Sequence, residues 1–389
     1  MEEKTMKMKR FISLLLVVVM TFALAACGNP SDTSGEGTVK REKAGQTPIK
    51  KENLKIGVIH IGDPADGSGY SYTHDIGIQK MQEELGLEDS QIIRKNNIAD
   101  TDSAATKTAI EECIAAGAQV IFGTSWGYMS TMKDLADKYP KVIFSHGTGN
   151  TNNGSNMNNY FGRIYQARYL TGIVAGMKTE SNKVGYVAAM GDTNSEVTGG
   201  INAFAMGVKS VNPDAEVYVK VTNTWFDPNL EKQAAEALLD EGCDVIAQHQ
   251  DTTAPQLAAQ TKGVWSIGYN SDMSKDAPNA CLTSAVWNWG VYYTMATKQV
   301  LEGKWTNENY FGGMDDDLLG ISPLSSFCAE GTQEKVDEVT AKIKDGSFKV
   351  FEGEIKNNKG EVVCEAGKSL TDEDITSKMN WYFENVTVK

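Results

Sequence analysis

The residues with most chemistry to offer lie in short segments where aromatic rings alternate with amides, carboxylates and imidazoles. These are Gly67-Ser68-Gly69-Tyr70-Ser71-Tyr72-Thr73-His74-Asp75, Ser125-Trp126-Gly127-Tyr128 and Asn223-Thr224-Trp225-Phe226-Asp227, then Gln248-His249-Gln250-Asp251, Tyr269-Asn270-Ser271-Asp272 and Trp287-Asn288-Trp289. Aromatic side chains stack on flat ligands, worth about 1–3 kcal/mol per nucleic-acid base. Asn, Asp and His bond a ligand's polar edge. The pattern suits a flat ligand with hydrogen-bonding groups, and the candidates are Tyr70, Ser71, Tyr72, His74, Trp126, Trp225, Phe226, His249, Asp251, Asn270, Asp272 and Trp287. Trp and Tyr also fill cores, and sugars stack on aromatics too, so residue types alone leave purine and sugar open.

Other chemistry finds less support. His74 and Asp75 could pair as acid and base, with Ser125, inside Gly123-Thr124-Ser125-Trp126-Gly127, or Ser145 as nucleophile, but no phosphate-binding glycine loop occurs. The four histidines lack the close spacing of a metal site. Asp192–Glu196 and Asp315-Asp316-Asp317 read as solvated loops. No catalytic residue, metal or cofactor is expected. A net charge of −14, with the acids spread out, argues against nucleic acid as a partner, which needs a basic face.

The elements that must hold these segments begin at Leu54. Strands are predicted over 54–60, 91–94, 119–124 and 141–145, then over 183–189, 216–221, 244–249, 264–269 and 281–286. Helices are predicted between them over 71–85, 102–116, 128–138, 196–211, 229–241 and 255–262. Continuously apolar strands alternating with helices make parallel sheets with helices on both faces. The series runs twice: Leu54-Lys55-Ile56-Gly57-Val58-Ile59 is echoed by Asn182-Lys183-Val184-Gly185-Tyr186-Val187. The tail reads as a helix over 288–302, a hairpin over 348–363 and a last helix over 371–383. An α/β fold of two Rossmann-like lobes follows, 52–162 plus 288–318 and 163–287 plus 319–389. Three crossings join them, near 162–169, 284–288 and 318–322. The aromatic segments then sit at strand carboxyl ends, where open sheets bind ligands, and two such ends face each other across a cleft.

The N-terminal part reads as targeting. Basic residues Lys4, Lys7, Lys9 and Arg10 precede the apolar run Phe11–Ala26. At 1.5 Å per residue that run reaches roughly 24 Å, short of the ~20 residues of a spanning helix, and 1–26 is predicted to be a signal peptide. Its end, Leu24-Ala25-Ala26-Cys27, resembles a bacterial lipobox, which implies cleavage before Cys27 and lipidation of its thiol. Residues 27–51 are rich in Gly, Ser, Thr and Lys and read as a flexible tether from a membrane. Of the remaining cysteines, Cys113 and Cys243 stand at matching helix-to-strand positions and read as buried apolar residues. A Cys328–Cys364 disulfide is left open.

At these segments the chain resembles the basic membrane protein family, the substrate-binding lipoproteins of ABC importers, some of which bind purine nucleosides. The matching stretches include Gly67–Gly77, Tyr160–Gly172, Gly200–Phe204, Trp225–Pro228, Gln248–Asp251 and Ile267–Met273. The resemblance implies a type I periplasmic-binding-protein fold with a three-strand hinge, an ABC permease as partner, and an extracytoplasmic place at the cell membrane. It also implies a stacking role for Tyr70 and for Trp225 or Phe226. Ser71 stands where the family has Asn, Asn270 where it has a ribose-contacting Asp, and Trp287 where it has a Lys. Those last two departures, with the Gly-Tyr-Ser-Tyr-x-His-Asp and Gln-His-x-Asp forms, favour a free base such as adenine over a nucleoside. A sugar-binding protein and a ligand sensor without transport are the alternatives.

Overall fold

A computed structural model describes residues 44–389. The predicted leader, Cys27 and most of the tether lie outside the described residues. The first lobe opens with β1 (Ile56–Ile59), α1 (Gly69–Leu85), β2 (Ile92–Lys95), α2 (Ser103–Ala115), β3 (Val120–Gly123), α3 (Met129–Lys138), β4 (Ile143–Gly147) and β5 (Met157–Gly162). Then come α4 (Tyr165–Lys178), β6 (Lys183–Ala188), α5 (Ser195–Val211), β7 (Glu216–Val221), α6 (Pro228–Asp240), β8 (Val245–His249), α7 (Ala254–Lys262), β9 (Trp265–Asn270) and β10 (Cys281–Trp287). The chain finishes with α8 (Gly290–Glu302), β11 (Tyr310–Gly312), β12 (Leu319–Ile321), α9 (Thr332–Lys344), β13 (Ile355–Lys356), β14 (Val362–Cys364), α10 (Asp372–Ser377) and β15 (Val386–Val388).

Strands such as Val120-Ile121-Phe122-Gly123 are buried along their whole length, as a sheet covered on both faces requires. The first sheet runs β11-β5-β4-β3-β1-β2, parallel throughout. The second runs β12-β10-β9-β8-β6-β7-β15, with β12 alone antiparallel. Both contain the same doubly wound order, β2-β1-β3-β4-β5 and β7-β6-β8-β9-β10. The order reverses between β1 and β3 in one lobe and between β6 and β8 in the other, where ligands collect. Helix starts are fixed by acidic or amide caps: Asp102 accepts from the amides of Ala104 and Ala105, Asp227 from Asn229 and Leu230, and Asn194 from Val197.

The chain passes between the sheets after β5, after β10 and between β11 and β12. Arg163, at the first passage, ties these strands together. Its guanidinium donates to both carboxylate oxygens of Asp372, at 3.1 and 2.6 Å, and to the Phe311 carbonyl at 2.7 Å.

Several elements depart from the sequence reading. The first crossing was placed at 162–169, but α4 already begins at Tyr165, and its residues 167–176 are all buried. A helix buried on every side, Arg168 and Thr171 included, shows no wet face to betray it. Gly172 and Gly176 let it press against α5; a Cβ on Gly172 would stand 2.1 Å from the Phe204 carbonyl oxygen. Strand β5 was missed because Asn158 and Asn159 made it look polar, yet both are buried and bonded, Asn158 to Tyr292 and Asn159 to His146. Helix α9 and the short strands β11, β12 and β15 were also unread. The hairpin is confined to β13 and β14. The last helix stops at Ser377, because the backbone at Trp381 and Phe383 bonds the Asn202 side chain instead. The five described cysteines are free: Cys328 lies near the Leu282 carbonyl and Cys364 near that of Lys368, so neither pairs with the other, while Cys113 and Cys243 are buried.

Candidate functional site

The loop after β1 delivers Tyr70 and His74 on the first turns of α1. The Tyr70 hydroxyl donates to the carbonyl of Thr124, just past β3, which fixes the half-buried ring at the point where strand order reverses. Ser71 faces inward beneath it and accepts from the Gly62 amide at 2.9 Å. Tyr72 is half-buried. The buried His74 ring meets Tyr70 edge-on at 4.5 Å and lies flat on Trp289, also at 4.5 Å and tilted by 12°. Its Nδ1 bonds the Tyr293 hydroxyl at 2.7 Å. Trp289 in turn stacks on Trp287 at 4.2 Å and 14°. Trp287 is buried, lies against Phe161, and points its indole N–H at the Tyr269 hydroxyl, 3.3 Å away.

The second lobe presents a polar edge. His249 ends β8 and is fully buried, with Nδ1 3.3 Å from the Tyr186 hydroxyl and Nε2 3.7 Å from a Glu196 carboxylate oxygen. Trp225 is half-buried with its ring edge-on to His249 at 5.6 Å. Asp251 follows β8; its amide donates to the Trp225 carbonyl, and its carboxylate accepts from Asn270 Nδ2 at 2.9 Å. Asn270 ends β9 in the left-handed region, φ 67°. Its carbonyl accepts from Thr73 of α1 at 3.2 Å, so the two lobes touch here. His249 Nε2 and Asn270 Oδ1 are buried without a hydrogen-bond partner in the protein. A ligand is the natural partner for buried polar atoms so placed.

The electrostatics of this edge are unusual. Burial pushes the Glu196 carboxyl up to about 7 against the pull of Arg168. Burial pushes Asp251 to about 7 as well, helped by Glu231 and Glu196 and opposed by the Asn270 hydrogen bond. Burial, with Arg168 adding, holds His249 well below the usual imidazole range, so it is neutral. Arg168 is itself fully buried, its guanidinium 3.9 Å above the Tyr269 ring, and its Nε and Nη2 have no partner. Near neutral pH the edge therefore offers carboxyls that can donate or accept, beside a neutral imidazole and a carboxamide.

Three sequence candidates stand apart. Trp126 is 54% exposed and Phe226 62% exposed, both turned to solvent rather than packed among the buried candidates. Asp272 is exposed and caps its own loop by accepting from the Ser274 amide. Glu196, Tyr269, Trp289 and Arg168 went unselected. The lobe repeat could have exposed Glu196: it begins the helix after β6 as Tyr70 begins the helix after β1. The four histidines do not converge on a common point. His146 bonds Ser125 and Asn159, His60 faces Asp75 at 3.5 Å, and no metal-ligating cluster forms among the described residues.

Known proteins share this architecture. A Bacillus halodurans transcriptional activator of the comK gene superposes with a TM-score of 0.65 at 21% identity, covering 76% of this chain and 99% of that one. A solute-binding protein of an ABC transporter system from Conexibacter woesei gives 0.64 at 20% identity, covering 76% and 98%. In sequence, the Brucella abortus protein named purine-binding protein BAB2_0673 is 37% identical over 87% of this chain and 94% of its own. A Haloferax volcanii protein whose name proposes an ABC transporter glucose-binding role, TsgA13, is also 37% identical, over 79% and 78%. The profile of the family described as Bmp, ABC transporter substrate-binding protein PnrA-like, matches residues 54–352. The chain thus belongs to the Bmp family of ABC transporter substrate-binding proteins and is a binding protein, not an enzyme.

Proposed function

We propose that this protein binds a purine base, adenine-like in its polar edge, and closes its lobes on it for delivery to the importer's permease. The lobes in question are 52–162 with 288–318 and 163–287 with 319–389. Family membership implies an extracytoplasmic location and a permease partner. One observation carries the purine reading: Tyr70 of the first lobe follows Gly69, which closes on the Asp251 backbone of the second, where Asp251 bonds Asn270 and Glu196 faces His249. A base is flat and apolar on its faces, and its edge alternates donors with acceptors. A protonated carboxyl places O–H and C=O side by side and so matches such an edge. The purine-binding name of the Brucella abortus relative supports this reading. Trp287 and Asn270 stand in place of the Lys and Asp that the family resemblance assigns to nucleosides, which favours the free base. The Haloferax volcanii name favours a sugar as the second reading.

Calorimetry with adenine, guanine, hypoxanthine, adenosine, glucose and ribose separates these. Adenine is expected to bind at about micromolar Kd, roughly −8 kcal/mol. Saturable heat from glucose or ribose, with none from any purine, overturns the purine reading.

The lipobox-like Leu24–Cys27 motivates a lipid anchor as part of the same proposal. In cells, Cys27→Ser is expected to move the protein from the membrane fraction to the soluble one. A variant that stays with the membrane rules the anchor out.

A further inference from the structure

The opening between the lobes is ringed by loops at the carboxyl ends of parallel strands, and two of these hold aromatic rings out to solvent. Trp126 follows β3 in the first lobe and Phe226 follows β7 in the second. They are 54% and 62% exposed, and neither belongs to a core cluster. Both loops are held in shape. Ser125 Oγ donates to Asp100 at 2.6 Å and the Gly127 amide donates to the same carboxylate at 3.3 Å, so Trp126 sits on a clasped turn. The Phe226 amide donates to Thr224 Oγ1 at 3.3 Å, while Asp227 caps α6 and donates its amide to Glu231. Leu230, one turn on, is 42% exposed and extends the apolar spot beside Phe226.

A single exposed ring is ordinary. Here, however, there is one on each lobe, each on a braced loop, and the rim around both is acidic. Asp63, Asp66 and Asp102 stand on the first lobe's rim, and Asp227 and Asp272 on the second's. Lys95, nearby, is already paired with Glu112.

We infer that Trp126 and Phe226 are the two anchors by which the importer's permease holds this protein, one per lobe, each entering an apolar recess bordered by basic side chains. The inference rests on membership of the importer family and not on the purine reading. A ligand between the lobes leaves through this opening, so the surface that receives it must seat on this rim. Rigid aromatics flanked by charge are the usual anchors of protein interfaces, and an acidic rim steers a basic partner. Because the anchors ride on different lobes, their spacing follows lobe closure, and a partner that engages both holds the closed form more tightly than the open one.

The test uses the full-length chain and its cognate permease–ATPase complex in nanodiscs. Trp126→Ser and Phe226→Ser are expected to keep the wild-type melting temperature and adenine affinity within about twofold. Their docking, with adenine and without added ligand, and their stimulation of ATP hydrolysis should fall at least tenfold. Asp66→Lys with Asp272→Lys should slow docking and weaken its salt dependence. Serine variants that dock and stimulate like wild type overturn the proposal. Serine variants that lose adenine binding also overturn it, and return the rings to the ligand site. A wild-type chain that never docks is a third overturning result. If the chain takes up no adenine at all, the purine reading falls, while docking of the unliganded protein still decides the anchors.

Discussion

Replacing Glu196 with glutamine is expected to stabilise the unliganded protein at pH 8 by about 2–3 kcal/mol and to leave it unchanged at pH 4. Its carboxyl titrates at 4.5 in the unperturbed state and at about 7 in the fold. Between those values the folded chain holds a proton that the unfolded chain has lost, so stability falls as pH rises through the window. Below pH 4.5 both states are neutral, and glutamine is a fair copy of the acid. Above pH 7 the folded state carries a poorly solvated charge that glutamine lacks. The full gap corresponds to about 3 kcal/mol, trimmed somewhat because 26% of the side chain is exposed. The histidines work the other way. Burial holds His74 and His249 low and His146 at about 4, so each favours the fold more as pH rises from there to 6.5. His74 and His146 do so equally in both proteins and cancel in the difference, while His249, 3.7 Å from Glu196, shifts with it. Urea unfolding of the two proteins from pH 4 to 8 is the check. Parallel stability curves would show that Glu196 is already ionised at neutral pH in the fold.

Gly69→Ala is expected to weaken adenine binding by about 1–3 kcal/mol, roughly five- to 150-fold, by obstructing closure. Gly69 lies at φ 81°, and a Cβ there would stand 2.5 Å from the Asp251 carbonyl oxygen of the opposite lobe. Strain at positive φ is present whether the lobes are open or closed, so it does not change affinity. The clash exists only when they are closed, and it lowers the population that can hold a ligand on both sides. Calorimetry measures the affinity, and circular dichroism checks that both lobes remain folded. Wild-type affinity in a folded Gly69→Ala protein would mean that closure does not bring these backbones together in solution.

The fold was legible wherever a strand was apolar from end to end and a helix had one wet face. Val120–Gly123 announces itself; α4 does not, because Arg168, which reads as a surface residue, is buried along with its apolar neighbours. Buried asparagines hid β5 for the converse reason. For the candidate site, strand ends point to loops that the doubly wound order brings together. What the sequence does not carry is which way a side chain turns within a loop. Trp225 and Phe226 are neighbours of similar chemistry, yet one packs toward His249 and the other faces solvent. Glu196 escaped for a different reason. An acid beside a Gly/Asp/Asn-rich loop reads as solvated until the fold sets it against the buried His249.

The stack of His74, Trp289 and Trp287 bridges α1 and the passage that leaves β10, with rings 4.5 and 4.2 Å apart and nearly parallel. Indoles this close share their excitation, and a neutral imidazole against one face quenches it little. On the proposed closure the overlap is expected to change, so adenine should alter the ultraviolet absorption of the undyed protein; identical spectra with and without adenine would mean that the stack stays still.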